Sequence, residues 1–364
     1  MNAMVTCFGE IMGRIQPEGY NRIRQAFPGK AEITFAGAEA SVAVSLQMLG
    51  RPSRYVTALP AGPLGDATID AVRRFGVDTN FVVRGPGRLG LYFVEKGVNQ
   101  RASTVIYDRA GALICETAGD AYDWASIFAD SAWFHVTGIT PAVSRKAADA
   151  VIVAVKRAKE EGLTVSCDLN FRKKLWNWEA GSAPEKLAER VMSEVLPYVD
   201  VVIGNEEDAQ DVFGIKAEGS RVEAGELAID KYPEVAAKLA QRFPNVKKVA
   251  CTLRESISAS HNNWGAMLYD VKTGSAKFAP IEDGAYKPYE IRNIVDRIGG
   301  GDSFAAGLIY ALTDEKMILD DAQVVSFASA ASCLCHSIEN DFNYVTKDEI
   351  LGLMKGDASG RVKR

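Results

Sequence analysis

Three glycines flanked by aspartates, Asp296-Arg297-Ile298-Gly299-Gly300-Gly301-Asp302, form the stretch of this sequence best suited to chemistry. The segment follows a strand-like run over 291–295 and opens a helix-forming run over 303–312. Glycines carry no Cβ, so their backbone can approach an anion closely and adopt positive φ. Their amides would point outward at a helix N-terminus, where the dipole favours negative charge. An aspartate at the end of such a loop repels phosphate. It makes sense if Asp302 accepts a proton from an attacking hydroxyl while Gly299, Gly300 and Gly301 hold the group in transfer. Local sequence leaves a plainer alternative level with this one, with Asp302 as an N-cap and the glycines as a turn.

Other readings of the glycines fit poorly. A dinucleotide fingerprint needs G-x-G-x-x-G after the first strand, with an acid about twenty residues on. Here the glycines are contiguous and late. No G-x-x-x-x-G-K-[ST] loop occurs anywhere. Gly301-Asp302-Ser303 has the letters of a Gly-Asp-Ser hydrolase, but that motif belongs after the first strand and needs a late D-x-x-H. His336 has Cys333 at that spacing. His135, His261 and His336 are scattered without H-E-x-x-H spacing, which argues against zinc.

The elements that must position these residues read as alternating strands and helices. Strands are expected at 5–8, 54–58, 81–83, 133–136, 164–168 and 201–204, with helices at 39–49, 64–75, 144–160 and 185–198. Within 144–160, Val151, Ala154, Val155 and Ala158 form one apolar stripe. Such alternation predicts a three-layer α/β fold, a mostly parallel sheet with helices on both faces and ligands beyond the carboxyl ends of the strands. Segments 11–35 and 85–115 break the rhythm with strand-like runs at 91–94 and 103–107, as expected of a small antiparallel β lid. Residues 4–354 read as one domain, 216–231 as a surface insertion and 355–364 as a disordered tail.

Composition limits the partners. Of 364 residues, 47% are hydrophobic and 24% charged, enough for a large core without staples. With 42 basic against 47 acidic residues, no basic excess exists to neutralise nucleic acid or anionic lipid. No run of eighteen apolar residues and no export signal is present, and the six cysteines contain no C-x-x-C pair. Buried free thiols in a cytoplasmic protein are therefore expected.

Taken together, several segments resemble the ribokinase-like (PfkB) carbohydrate kinases. Asp296 to Gly307, DRIGGGDSFAAG, is similar to the family's D-T-x-G-A-G-D-x-F signature, with Arg297 and Gly300 replacing threonine and alanine. Ala36-Gly37-Ala38-Glu39-Ala40-Ser41-Val42-Ala43 resembles its early glycine motif, with Ser41 where asparagine is usual. Asn205-Glu206-Glu207-Asp208 resembles N-x-x-E, closed here by aspartate. The opening Phe8-Gly9-Glu10-Ile11, Leu91-Tyr92-Phe93-Val94-Glu95, Val105-Ile106-Tyr107-Asp108-Arg109, Asp168-Leu169-Asn170-Phe171-Arg172 and Thr252-Leu253-Arg254-Glu255-Ser256 look like the branch acting on 2-keto-3-deoxygluconate.

That resemblance implies an ATP-dependent kinase of the terminal hydroxyl of an acid sugar, with Asp302 as base and Gly299, Gly300 and Gly301 as anion hole. It implies a sugar site of Gly37, Ser41, Tyr92, Tyr107, Arg109, Arg172, Asp302 and Asp341. The arginines suit a carboxylate, which a guanidinium grips through a planar fork. Asn170, Asn205, Thr252, Arg254, Gly299 and Gly301 are implied at the nucleotide, and Asn205 and Asp208 at Mg²⁺ through water. The family also allows a monovalent cation such as K⁺ near Asp296. A homodimer through the lid is the expected assembly. A neutral-sugar kinase and a silent sugar-binding regulator are the alternatives, and the intact Asp302 with its glycines argues against the second.

Overall fold

The computed structural model describes residues 4–217, 228–314, 317 and 320–357. The expected insertion at 216–231 and tail at 355–364 lie mostly outside the described residues.

The main sheet has nine strands. Met4–Phe8 lies between Ser53–Val56 and Ser131–Thr137, and Thr164–Asp168, Val201–Gly204 and Lys248–Ser258 follow in order, all parallel. His261–Asp270 then pairs antiparallel with Lys248–Ser258, Ser275–Ala279 and Tyr289–Arg292. Strands covered on both faces should be apolar along their whole length, and Val201, Val202 and Ile203 are all buried. Successive residues feed opposite cores. Val201 and Ile203 join the cluster beneath helices Ala38–Met48, Gly300–Thr313 and Asp321–Cys335, while Val202 joins the one beneath Arg145–Glu160. The predicted stripe Val151, Ala154, Val155 and Ala158 is buried in that second core. All six cysteines are free thiols, five of them buried.

The lid strands are Met12–Gln16, Glu32–Ala36, Gly90–Glu95 and Thr104–Asp108. Each expected segment makes its own antiparallel pair, and the pairs meet through parallel strands Met12–Gln16 and Gly90–Glu95. Alternation sorts the two faces. Met12, Arg14, Gln16, Tyr92 and Val94 are buried, whereas Ile33, Ile15, Phe93 and Ile106 stand opposite one another in register on the outer face.

One expected boundary moves at the glycine segment. The helix starts at Gly300, so Asp302 is its third residue rather than the residue before it. Lys248–Ser258 continues through Thr252 and Arg254, so both sit within a strand. Its antiparallel partner extends the hydrogen-bond ladder past the length that a parallel neighbour alone would set.

Candidate active site

A cavity of about 330 Å³ opens between lid and sheet, a volume suited to a small molecule. Asp168 closes strand Thr164–Asp168 and Gly204 closes Val201–Gly204, so the cavity lies at the carboxyl ends of the parallel strands.

The glycine segment forms one wall. Gly299 takes φ +87° at the helix N-cap, and the first helical bond runs from the Ser303 amide to the Gly299 carbonyl at 2.8 Å. The amides of the turn before it have no acceptor within the helix and are available to an anion. Each glycine answers to a different constraint. A Cβ on Gly299 would fall 2.7 Å from the Asp341 carbonyl oxygen, and one on Gly300 would fall 3.0 Å from the His336 ring. On Gly301 it would meet nothing within 4 Å, because that position faces open cleft.

Asp302 lines the same wall and enters no ion pair among the described residues. Desolvation, followed by the negative charges of Asp168, Glu39 and Asp341, pushes its carboxyl well above the usual carboxylate range; Arg172 opposes them. Such a group holds a proton more tightly once it has taken one, as a general base requires. Asp168, also in the cleft, is raised by burial and then by the charge of Asp208.

The opposite wall is built by reciprocal backbone caps. Asp208 accepts from the Phe171 amide at 2.9 Å through one oxygen and from the Asn205 amide at 2.8 Å through the other. Asn205 Oδ1 accepts from the amides of Glu207 and Asp208. These residues join the loops after two strands, and no cluster of three or more His, Cys, Asp or Glu among the described residues is set to hold a metal directly. Asn170, at φ +37°, and Glu206 each leave a buried oxygen without a partner beside the cavity. Unmet polar atoms next to open helix amides fit a nucleotide and its hydrated metal.

The arginines differ sharply. Arg172 is exposed to the cleft, donates to the Phe171 carbonyl at 2.8 Å and forms no ion pair among the described residues. Arg109 is buried and hydrogen-bonded to Glu10, with its guanidinium 5.2 Å from the Tyr107 ring centroid. Arg254 pairs with the buried Glu206 at 3.1 Å. Arg14 is wholly buried and bridges Asp296 and Asp341 at 2.5 and 2.6 Å.

The model of the pfkB family of carbohydrate kinases matches residues 2–253. The chain belongs to that family. The match stops short of the glycine segment, but whole-length relatives reach across it. The structure of 2-dehydro-3-deoxygluconokinase from Thermotoga maritima is 41% identical, with a TM-score of 0.86 over 97% of this chain and 100% of its own. The 2-dehydro-3-deoxygalactonokinase of Haloferax volcanii is 28% identical over 361 residues, 99% of either chain. A fructokinase from Xylella fastidiosa with bound ATP shares the fold at 21% identity and a TM-score of 0.72, covering 98% of this chain and 99% of its own. This is a ribokinase-like fold, and the protein is a phosphotransferase with an alcohol group as acceptor.

In this pfkB kinase, fourteen residues expected at the site line one cavity: Gly37, Tyr92, Tyr107, Arg109, Asn170, Arg172, Asn205, Asp208, Thr252, Arg254, Gly299, Gly301, Asp302 and Asp341. Ser41 and Gly300 do not. Ser41 faces the core from within Ala38–Met48, one helical turn past the cleft, and its hydroxyl has no partner among the described residues. Gly300 packs against His336. Gly37 lines the cavity, and a Cβ there would also lie 2.1 Å from the Glu10 carbonyl oxygen. The Tyr92 hydroxyl donates to Asp341 at 3.0 Å and Arg14 holds the second Asp341 oxygen, so both line the cavity as members of one hydrogen-bonded network. Sequence reasoning passed over Arg14, Glu10, Glu39, Asp168 and Arg297. Arg14 and Gln16 flank Ile15 in strand Met12–Gln16, and two polar residues on one face of a lid strand were the available signal.

Proposed function

We propose that this kinase transfers the γ-phosphoryl group of ATP to the terminal, 6-hydroxyl of 2-keto-3-deoxygluconate. The observation that carries this reading is Arg172, a cation without a carboxylate partner facing the cleft that holds Asp302. An acid sugar brings the carboxylate that a planar guanidinium binds by two parallel bonds. Asp302 then accepts the proton of the 6-hydroxyl, and the helix amides at Gly299 to Gly301 receive the charge that develops on the transferred group. Bound ATP would supply the phosphoryl group, and Mg²⁺ would offset its charge. Asn170, Thr252 and Arg254 would face the nucleotide, and Asn205 and Asp208 would reach the metal through water.

The test is a coupled assay over 2-keto-3-deoxygluconate, its 2-keto-3-deoxygalactonate epimer, fructose and ribose. Higher kcat/KM on the acid sugars is expected, and equal or better turnover of a neutral sugar would sink the reading. The outer lid row Ile33, Ile15, Phe93 and Ile106, with Ile33 63% and Ile106 51% exposed, suits a homodimer joined lid to lid. No helix among the described residues is long and apolar enough to cross a membrane.

A further inference from the structure

Behind the glycine segment lies a buried polar network that the transfer reaction does not use directly. Arg14 sits on lid strand Met12–Gln16 with no exposed side-chain surface. Its Nη2 donates to Asp296 Oδ2 at 2.5 Å and its Nη1 to Asp341 Oδ2 at 2.6 Å. Its Nε and Nη2 also donate to Gln16 Oε1, at 3.1 and 2.7 Å. The other carboxylate oxygens are occupied too, Asp296 Oδ1 by the Ile298 amide at 3.1 Å and Asp341 Oδ1 by the Tyr92 hydroxyl at 3.0 Å. Gln16 in turn donates to Glu32 at 2.7 Å and Asn340 at 3.1 Å.

Both carboxylates frame the anion hole. Asp296 opens the segment, and its bond to Ile298 fixes the residue just before Gly299. The Asp341 backbone packs so closely on Gly299 that no Cβ would fit between them. A monovalent cation near Asp296, which the family resemblance allows, would have to sit beside these same carboxylates. All four oxygens already accept from N–H or O–H donors. The Arg14 guanidinium puts a full positive charge between the two carboxylates, so a second cation there would meet its repulsion with the negative charge already offset. The donor set does not fit such an ion.

We propose that Arg14 is the built-in cation of this kinase, a positioning residue whose guanidinium takes the place of a monovalent ion between Asp296 and Asp341. It holds the anion hole in shape from the lid strand. Turnover then needs no K⁺, and the ligand-free protein gains no stability from it.

Two readouts on the wild-type enzyme test this without any substitution. The first is kcat in potassium chloride against tetramethylammonium chloride at equal ionic strength, on whichever sugar is turned over. The second is the melting midpoint in the same salts, with and without Mg-ATP. Equal rates and midpoints are expected; a K⁺-specific rise in either overturns the proposal, because an ion that binds the native state must stabilise it. The melting arm uses no sugar, so its outcome does not depend on which sugar is the substrate. Arg14→Met is expected to lose roughly 10²-fold in kcat, as when a preorganised electrostatic group is removed, and to gain a K⁺ response. Because that variant strands two buried carboxylates, Arg14→Lys is tested beside it. A point charge cannot bridge both, so kcat should fall while KM for the sugar stays within about threefold. Wild-type kcat in Arg14→Lys would remove the positioning role.

Discussion

The two sides of the cleft treat charge in opposite ways. On the lid side the two buried arginines have built-in counterparts, Arg14 with Asp296 and Asp341, and Arg109 with Glu10. On the sheet side, Asp302 and Arg172 line the same cavity and neither enters an ion pair among the described residues. Buried pairs contribute little net stability but are costly to break, so the lid side acts as a frame. A charge left without a partner in a cleft keeps its electrostatic potential for a ligand. The contrast assigns organisation to one side and chemistry to the other.

The largest effect that would break this contrast is expected at Asp302. Asp302→Asn should lower kcat by roughly 10²–10⁴-fold, the span for loss of a general base, with sugar affinity within several-fold of wild type. Its melting midpoint should hold or rise, since the substitution removes a desolvated carboxyl. Retained turnover would take Asp302 out of its role. The arginines supply the next test, because one sequence-level expectation covered both and the structure separates them. Arg172→Lys should raise KM chiefly for acid sugars, by about tenfold, as a fork becomes a point charge. Arg109→Ala should instead destabilise the fold by about 3–5 kcal/mol, because it leaves Glu10 buried without its counter-ion. Chemical denaturation reads that loss. If Arg109→Ala is fully stable and loses only acid-sugar affinity, the two sides do not differ as described.

That separation also marks what the sequence could carry. Strands Thr164–Asp168 and Val201–Gly204 are legible to the residue, because apolar runs between turn residues need both faces covered. Local order likewise marks the glycine segment, where spacing alone creates a helix N-terminus. What stayed hidden depends on partners far along the chain. Arg14 meets Asp296 and Asp341 across 282 and 327 residues, and Arg109 meets Glu10 across 99. Nothing in the neighbourhood of Arg109 or Arg172 tells which will find a carboxylate inside the protein. Ser41 failed for a simpler reason. At the fourth position of a helix whose burial is nearly all-round, its hydroxyl points into the core rather than the cleft.

A finer test asks whether the sheet-side charges act as one unit. Asp302 must be ionised to accept a proton, and its pKa is raised by burial first and by Asp168 next, while Arg172 lowers it. With the ionised form active, kcat/KM should rise with pH through that elevated pKa and fall away on its acid side. Asp168→Asn removes a neighbouring negative charge, so the acid limb should move to lower pH, by roughly one pH unit or less. Asparagine is the right probe because its Oδ1 can still accept from the Asn170 amide, as Asp168 does at 3.1 Å. Arg172→Ala removes the opposing charge and should move the same limb to higher pH. Opposite displacements in the two variants, measured with saturating Mg-ATP, would tie both residues to the ionisation of Asp302. A limb that stays fixed in both would mean that the titrating base lies elsewhere.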